Sequence, residues 1–536
     1  MTTPAYAADG QATRYGRTVR RFAFAFLASA SAPLIFAAGC GDQTVTPTQT
    51  PPNPDAGDTD AADGGSDLTI GVPNKFVFRG MVITPDDAID GEVFVVDEMI
   101  VCVEKGRKCS ESKDATGATI IETHGVIAPG LIDTHNHILF DIFDNDDWGP
   151  EKAYENHSDW PKEARYSAML DVKQCLEDAS QGKPTWCPAK YDGQGNLKCE
   201  MNKWGELKGM IAGTTSIVGL PGNSVACFGS LSRSIDGPNN DLKNGDLVQT
   251  SSLFPPAPAS ADGVCNNVTA MKTSAYLIHV GEGTNEKARA EFDILGSVTT
   301  TDNCLYAPST VITHGTAFTA AEFAKMGQTG MKLTWSPASN VALYGVTTNI
   351  PLALDNNVMV TLAPDWSMGG SQNMLDEMRF ANAWDDKNWG DRLSTKDIVT
   401  MSTKNAAIAL GLDDKIGTIK VGLFADLFVV KGDPKAPYDA VVAATPATVR
   451  AVMVGGKILF GDESLQRASP ATPCEKIELC GAKKFVCVAE TDQANKLNQT
   501  YEQIKDILET GMTDMDQASS TDPWSFAPLA PVYRCP

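Results

Sequence analysis

Apolar and polar positions divide the chain into three regimes. From about Leu68 to Ala128 short apolar runs alternate with polar breaks: Lys75–Ile83, Glu92–Asp97 and Met99–Val103. Such runs, rich in Val, Ile and Phe and bounded by Gly and Asp, predict strands. The same texture returns in Lys420–Val430 and Val449–Phe460. Two β-rich flanks around one middle region predict a small β-sandwich domain built from both ends, residues 69–128 and 417–463. Between them, over 129–416, short apolar strands alternate with helical stretches, the pattern of a β/α architecture. Residues 464–536 form a cysteine-containing extension with a helix-like run from Asp492 to Thr513.

The strands of the middle region end in chemistry. Pro129-Gly130-Leu131-Ile132-Asp133-Thr134-His135-Asn136-His137 closes a short apolar run with two imidazoles two residues apart. In extended backbone, residues i and i+2 point the same way, so both rings can reach one metal ion. Alone such a pair is weak evidence, since surface strands produce it by chance. Ala275–Val280 carries His279 near its end, with Glu282 three residues on; Ser309–Gly315 ends in His314; Val358–Trp366 ends in Asp365. In a (β/α)8 TIM-type barrel, the α/β fold expected here, residues at the C-terminal strand ends form the active site. The chain has only six histidines, and four of them stand at such positions. His124 is assigned to the β-domain and His157 to a loop near the site. Trp335 and Asn340, after the seventh strand, and Trp366, beside Asp365, are expected to line a substrate pocket. The third and fourth strands fall between Ala226 and Pro256. The long stretch from His137 to the strand in Met210–Val218 starts on the catalytic face and is expected to cover the pocket in part.

Composition narrows the partners. At 536 residues the chain is long enough for a barrel with accessory modules. A net charge of −23 argues against nucleic acid and against electrostatic attachment to anionic membrane. Residues 1–40 read as an export signal, with Arg14, Arg17, Arg20 and Arg21 before the apolar run Phe22–Ala38. The run ends in Ala37-Ala38-Gly39-Cys40, which resembles the lipobox of bacterial lipoproteins and implies a lipid on Cys40. Residues 41–68, rich in Pro, Thr, Asp, Gly and Ala, read as a disordered tether. The expected location is therefore the bacterial cell envelope, with the membrane touched only through the anchor. Of 13 cysteines, setting Cys40 aside leaves an even number, which suggests disulfides in an oxidising compartment. Cys102 with Cys109, pairs among Cys175, Cys187 and Cys199, and Cys265 with Cys304 are the local choices. A cysteine zinc site is disfavoured because no Cys-x-x-Cys pair is present.

Taken together, Pro129–His137, His279-Val280-Gly281-Glu282, Thr313-His314-Gly315, Asp365 with Ser371–Met378, and Ile416–Leu427 resemble the amidohydrolase superfamily. The nearest branch is that of cytosine deaminase and the s-triazine hydrolases, over roughly residues 70–463. The resemblance implies that His135, His137, His279 and Asp365 ligate one divalent metal ion, zinc first and iron as the alternative. It implies that Glu282 shuttles protons and that His314 contacts the nucleophilic water or the substrate. Asp365 would hydrogen-bond the nucleophile as well. Binuclear members carry a carboxylated lysine on the fourth strand; Lys272 is badly placed for this, which favours a mononuclear site. The implied activity is hydrolysis of a non-peptide C–N bond in a small substrate, cyclic ones included. The alternatives are displacement of halide or another leaving group from a heteroaromatic ring, and a surface binding protein without catalysis.

Overall fold

A computed structural model describes residues 67–179, 184–219, 231–237, 242, 247–252, 254–470, 473–489, 495–519 and 523–536. The expected export signal, the lipid site at Cys40 and the tether up to residue 66 lie outside the described residues.

The N-terminal flank folds as β1 (Leu68–Thr69), β2 (Val72–Ile83), β3 (Ala88–Val96), β4 (Met99–Lys105) and β5 (Ala118–Pro129). β2 and β3 pair antiparallel from Lys75↔Val96 to Ile83↔Ala88. Alternation sends Phe76, Phe78, Val93 and Val95 into the main core. Val77 and Phe94 point the other way, into a satellite cluster with Cys109, Ala115 and Ala118. His124 lies in β5, is exposed, and contacts Asp67.

Among the described residues the middle region supplies eight strands. β6 (Leu131–Asp133), β7 (Thr214–Ile217) and β8 (Arg233–Ser234) form one parallel sheet. β9 (Val248–Ser251), β10 (Ala275–Val280), β11 (Thr310–His314), β12 (Lys332–Trp335) and β13 (Met359–Leu362) form another. β8 and β9 fall in the window expected for the third and fourth strands. Helices follow several strands, Glu286–Ser297 after β10 and Ala320–Thr329 after β11 among them. The two sheets meet where the segment after β6 runs beside that after β13, in a parallel bridge between Asn136 and Asp365. Beneath it the Thr134 hydroxyl lies 2.9 Å from that of Thr361 and 3.3 Å from that of Thr334. The chain is thus a mixed α/β fold in which the segments that follow β6 and β13 meet.

The C-terminal flank returns to the first sheet. β14 (Leu427–Val430) pairs with β5, and β15 (Val449–Val454) with β16 (Lys457–Asp462) through a turn at Gly455 and Gly456. Both glycines have positive φ, as such a tight hairpin demands. The sheet then continues past residue 463. β17 (Cys474–Leu479) and β18 (Ala482–Cys487) extend it beyond β16, giving ten strands in all. The extension is therefore continuous with the β-domain. Its helix runs Tyr501–Ala518, later than the pattern suggests, because Thr500 and Gln503 form a capping box that fixes its start. Disulfides join Cys102–Cys109, Cys175–Cys187, Cys265–Cys304, Cys474–Cys487 and Cys480–Cys535, and Cys199 is also disulfide-bonded.

One buried ion pair ties the parallel strands to the outer sheet. Arg233, in β8, donates from Nε and Nη2 to Asp426 at 2.7 and 3.1 Å, and Gly455 N–H adds a 2.7 Å bond to the same carboxylate. Removing one member of such a pair strands the other charge. Asp426→Ala is expected to lower unfolding free energy by about 3–5 kcal/mol, read as a lower urea midpoint. A loss below about 1 kcal/mol, the value of an exposed pair, would deny the pair this role.

Candidate active site

The strand ends converge as expected. The ring of His135 lies 4.9 Å from that of His137, 4.6 Å from that of His279 and 5.4 Å from that of His314, centroid to centroid. His135 Nε2 is 2.9 Å from Asp365 Oδ1 and His137 Nε2 is 3.4 Å from the same oxygen. His314 Nε2 stands 4.0 Å from both Asp365 and Glu282. Potential ligand atoms of His135, His137 and His279 lie within 4.8 Å of one another, as do those of His135, His314 and Asp365.

The backbone places these groups at some cost. Asp365 and His314 both adopt the left-handed conformation, φ 71° and 72°. For a non-glycine residue that is uncommon and is found mostly where the surroundings enforce it. At Asp365 the enforcement is visible: its N–H donates to His135 O at 3.1 Å, and its carbonyl accepts from His137 N–H at 2.7 Å. Asp133, two residues before His135, accepts from His135 N–H at 3.0 Å and from the Asn136 amide at 2.9 Å.

Partners outside the cluster aim its rings. His279 Nδ1 sits 3.2 Å from Ser251 O, and His314 Nδ1 sits 2.9 Å from Asn340 Oδ1. A ring nitrogen facing an oxygen acceptor carries the proton, so the Nε2 of each ring turns inward. Burial holds His279 well below the usual imidazole range and lowers His137 to about 3. Both rings are therefore neutral and able to donate lone pairs at neutral pH. Burial alone would raise Asp365, but His135, which lies 2.9 Å from its Oδ1, leads the interactions that outweigh burial and hold the carboxyl below its usual range. Three inward-facing imidazoles and one ionised carboxylate suit a divalent cation of zinc type. β9, the fourth parallel strand, carries no lysine, so a bridging carbamate has no source there.

The helix Pro337–Tyr344, after β12, supports three of the site groups. Ser339 donates to Asp365 Oδ2, Asn340 accepts from His314, and the Tyr344 hydroxyl donates to Glu282 Oε1 at 2.6 Å. Asn340 therefore stands behind His314, its amide bonded to Thr347 and Thr348 at 3.3 Å, and does not line the pocket as expected. Trp335 also departs from expectation. Thr334 points inward to Thr134 and Thr361, so the next residue of the strand points outward. Its indole is fully buried, bonded to Thr347 at 2.7 Å and packed against Trp389. Trp366 does stand at the site, its ring 5.4 Å from that of His137, within a buried cluster with Phe140, Trp148, Trp160 and Tyr166. Ser339 and Tyr344 escaped the sequence reading. The available signal was helical spacing, since Asn340 and Tyr344 are four apart and share a face.

A cavity of about 290 Å³ opens beside His135, His137 and His279. Phe140, Lys173 and Glu177 wall it from the segment between β6 and β7, and Asp236, Thr250 and Ser251 face them. Part of that segment thus covers the site. His157 belongs to it, its backbone N–H 3.2 Å from Glu282 O and its ring 2.7 Å from Glu291.

The comparisons with known proteins agree with this geometry. The Amidohydrolase family model matches residues 240–459, a span that contains His279, Glu282, His314 and Asp365. A 5'-deoxyadenosine deaminase of Methanosarcina barkeri is 26% identical over 430 residues, covering 73% of this chain and 92% of that protein. A 5-methylthioadenosine/S-adenosylhomocysteine deaminase of Desulfitobacterium hafniense is 25% identical over 435 residues, covering 76% and 97%. Among solved structures, the atrazine chlorohydrolase of Arthrobacter aurescens TC1 complexed with zinc shares the fold, with TM-score 0.52 and 15% identity over 73% of this chain and 98% of that one. The chain is thus similar to the amidohydrolase family over residues 240–459, with deaminases and triazine hydrolases among its relatives and structural neighbours. These similarities support a hydrolase of carbon–nitrogen bonds other than peptide bonds.

Glu377 supports the same helix from below, accepting from Ala338 N–H at 3.1 Å. Burial raises it from the ordinary 4.5 to about 8, so the folded protein holds it protonated where the unfolded chain does not. That contribution is complete below pH 4.5 and is lost as pH rises through about 8. Glu377→Gln, neutral at every pH, is expected to gain stability relative to wild type by ~1.4 kcal/mol per pH unit between about pH 5 and 8. Paired urea titrations at pH 5, 6.5 and 8 check the slope, and parallel curves would mean that Glu377 is ionised in the fold.

Proposed function

We propose that the protein is a mononuclear metal-dependent deaminase, which removes the amino group from an sp² carbon of a planar nitrogen heterocycle, adenine nucleosides first. The convergence of His135, His137, His279, His314, Glu282 and Asp365, beside a cavity that the first three line, carries the reading. The curated relatives, aligned over nearly their whole length, direct it towards nucleosides. His135, His137, His279 and Asp365 would hold the ion, zinc in the first place, which supplies Lewis acidity and a water acidified towards neutral pH. Glu282 accepts a proton from the attacking water and returns it to the leaving nitrogen. The new bond is C–O, the C–N bond breaks, and ammonia leaves. His314, 4.0 Å from both carboxylates, steadies the charge that develops between them. Phe140 gives the cavity an aromatic wall beside His137, and Trp366 packs against both rings.

The reading takes the eight parallel strands as a closed (β/α)8 barrel, supported by the bridge between Asn136 and Asp365, and the ten-stranded sheet as the flanking sandwich. It also takes the protein as exported and lipid-anchored at Cys40 in a bacterial envelope, supported by the N-terminal charge and apolar pattern and by the cysteine pairing. The substrate is then a small molecule met outside the cytoplasm.

Ammonia release from 5'-deoxyadenosine, 5'-methylthioadenosine and guanine, before and after chelation, tests the proposal. Turnover of an adenine nucleoside, lost on chelation and restored by zinc, is expected. Glu282→Gln is expected to keep the metal and lower kcat by about 10²–10⁴. Metal-loaded protein that releases no ammonia from any of the three would remove the deaminase reading.

A further inference from the structure

One hydrogen-bonded path leads from Glu282 out of the site. Tyr344 is buried, and its hydroxyl lies 2.6 Å from Glu282 Oε1 and 3.1 Å from Trp160 Nε1. An indole N–H can only donate, so the Tyr344 oxygen accepts from Trp160. The single phenolic hydrogen is thereby committed to Glu282. A hydroxyl donating to a carboxylate at this distance is a short, charge-assisted bond. It fixes Oε1, the oxygen that also stands 4.0 Å from His314 Nε2 within the site.

Trp160 belongs to the covering segment, and that segment is stitched to both sides of the path. Tyr154 N–H donates to Leu343 O at 2.7 Å, beside Tyr344. On the other side His157 N–H donates to Glu282 O at 3.2 Å, Thr284 N–H donates to Glu155 O at 2.8 Å, and Asn156 bridges to Gly283. Gly283 has φ 144°, and a Cβ there would come within 2.5 Å of Glu155 O. Only glycine lets the segment approach this closely. Backbone and side chain of Glu282 are thus both held by the docked segment, the side chain through Tyr344.

We propose that Tyr344 is a positioning residue for Glu282, and that Trp160 makes this positioning depend on docking of the covering segment. The segment then does more than exclude water: undocked, it leaves the proton carrier free to leave its working rotamer. The proposal rests on the reading of Glu282 as that carrier.

Tyr344→Phe removes one oxygen atom and spares the packing. With 5'-deoxyadenosine, Tyr344→Phe is expected to lower kcat at least tenfold while KM stays within about twofold, because positioning acts in the transition state. Metal content should be unchanged. Trp160→Phe is expected to cost a smaller factor, and the double variant no more than Tyr344→Phe alone, since Trp160 acts through Tyr344. Hydrogen exchange supplies a substrate-free readout: the His157 and Thr284 amides should exchange about tenfold faster in Tyr344→Phe. Wild-type kcat in Tyr344→Phe, or multiplying losses in the double variant, overturns the proposal. If wild-type protein deaminates none of the three probes, the functional reading fails and exchange alone decides. In that case unchanged protection of both amides overturns the coupling.

Discussion

The structure depends on the place where the segments that follow β6 and β13 run beside each other. There the backbone of Asp365 is clamped between His135 and His137 by two hydrogen bonds, 3.1 and 2.7 Å. The clamp holds a non-glycine residue at positive φ, and that turn aims its carboxylate back at both imidazoles. The geometry of the histidine–aspartate cluster and the meeting of the two parallel sheets are thus one feature. Any change that let these strands part would scatter the ligands at the same time.

A cluster of buried polar groups is costly unless each is partnered. Here the partners come from elements distant in sequence: Ser251 at the end of the fourth parallel strand, and Ser339, Asn340 and Tyr344 on one short helix. That helix follows the seventh strand and touches three of the six site residues. It is held in turn by Glu377, which accepts from Ala338 N–H and whose carboxyl burial raises to about 8. Support is layered, with the chemically active groups carrying the least freedom.

Much of this is legible in the chain. Parallel strands converge at their C-terminal ends, so four apolar runs that stop at His, His, His and Asp declare a shared site. Orientation is harder to read. Trp335 is expected at the pocket from its place at a strand end, yet period-two alternation from the inward Thr334 turns it outward. Asn340 sits one helical turn beyond its strand, and only its helical phase shows that it backs His314. Tyr344 and Ser339 carry no signal until the helix is placed, because hydroxyls act here through partners remote in sequence. The C-terminal helix begins later than its periodicity suggests, at the Thr500 cap. The β-hairpin Cys474–Cys487 joins the outer sheet through tertiary pairing that no local pattern announces.

The central claim is a single metal site made by His135, His137, His279 and Asp365. Its most direct test is metal stoichiometry, by elemental analysis of purified protein beside an Asp365→Ala variant. One zinc or iron per wild-type chain, and a large loss of that ion in the variant, is the expected result. A wild-type chain that retains no metal after zinc loading and desalting, or a variant that binds it as tightly as wild type, would contradict the account.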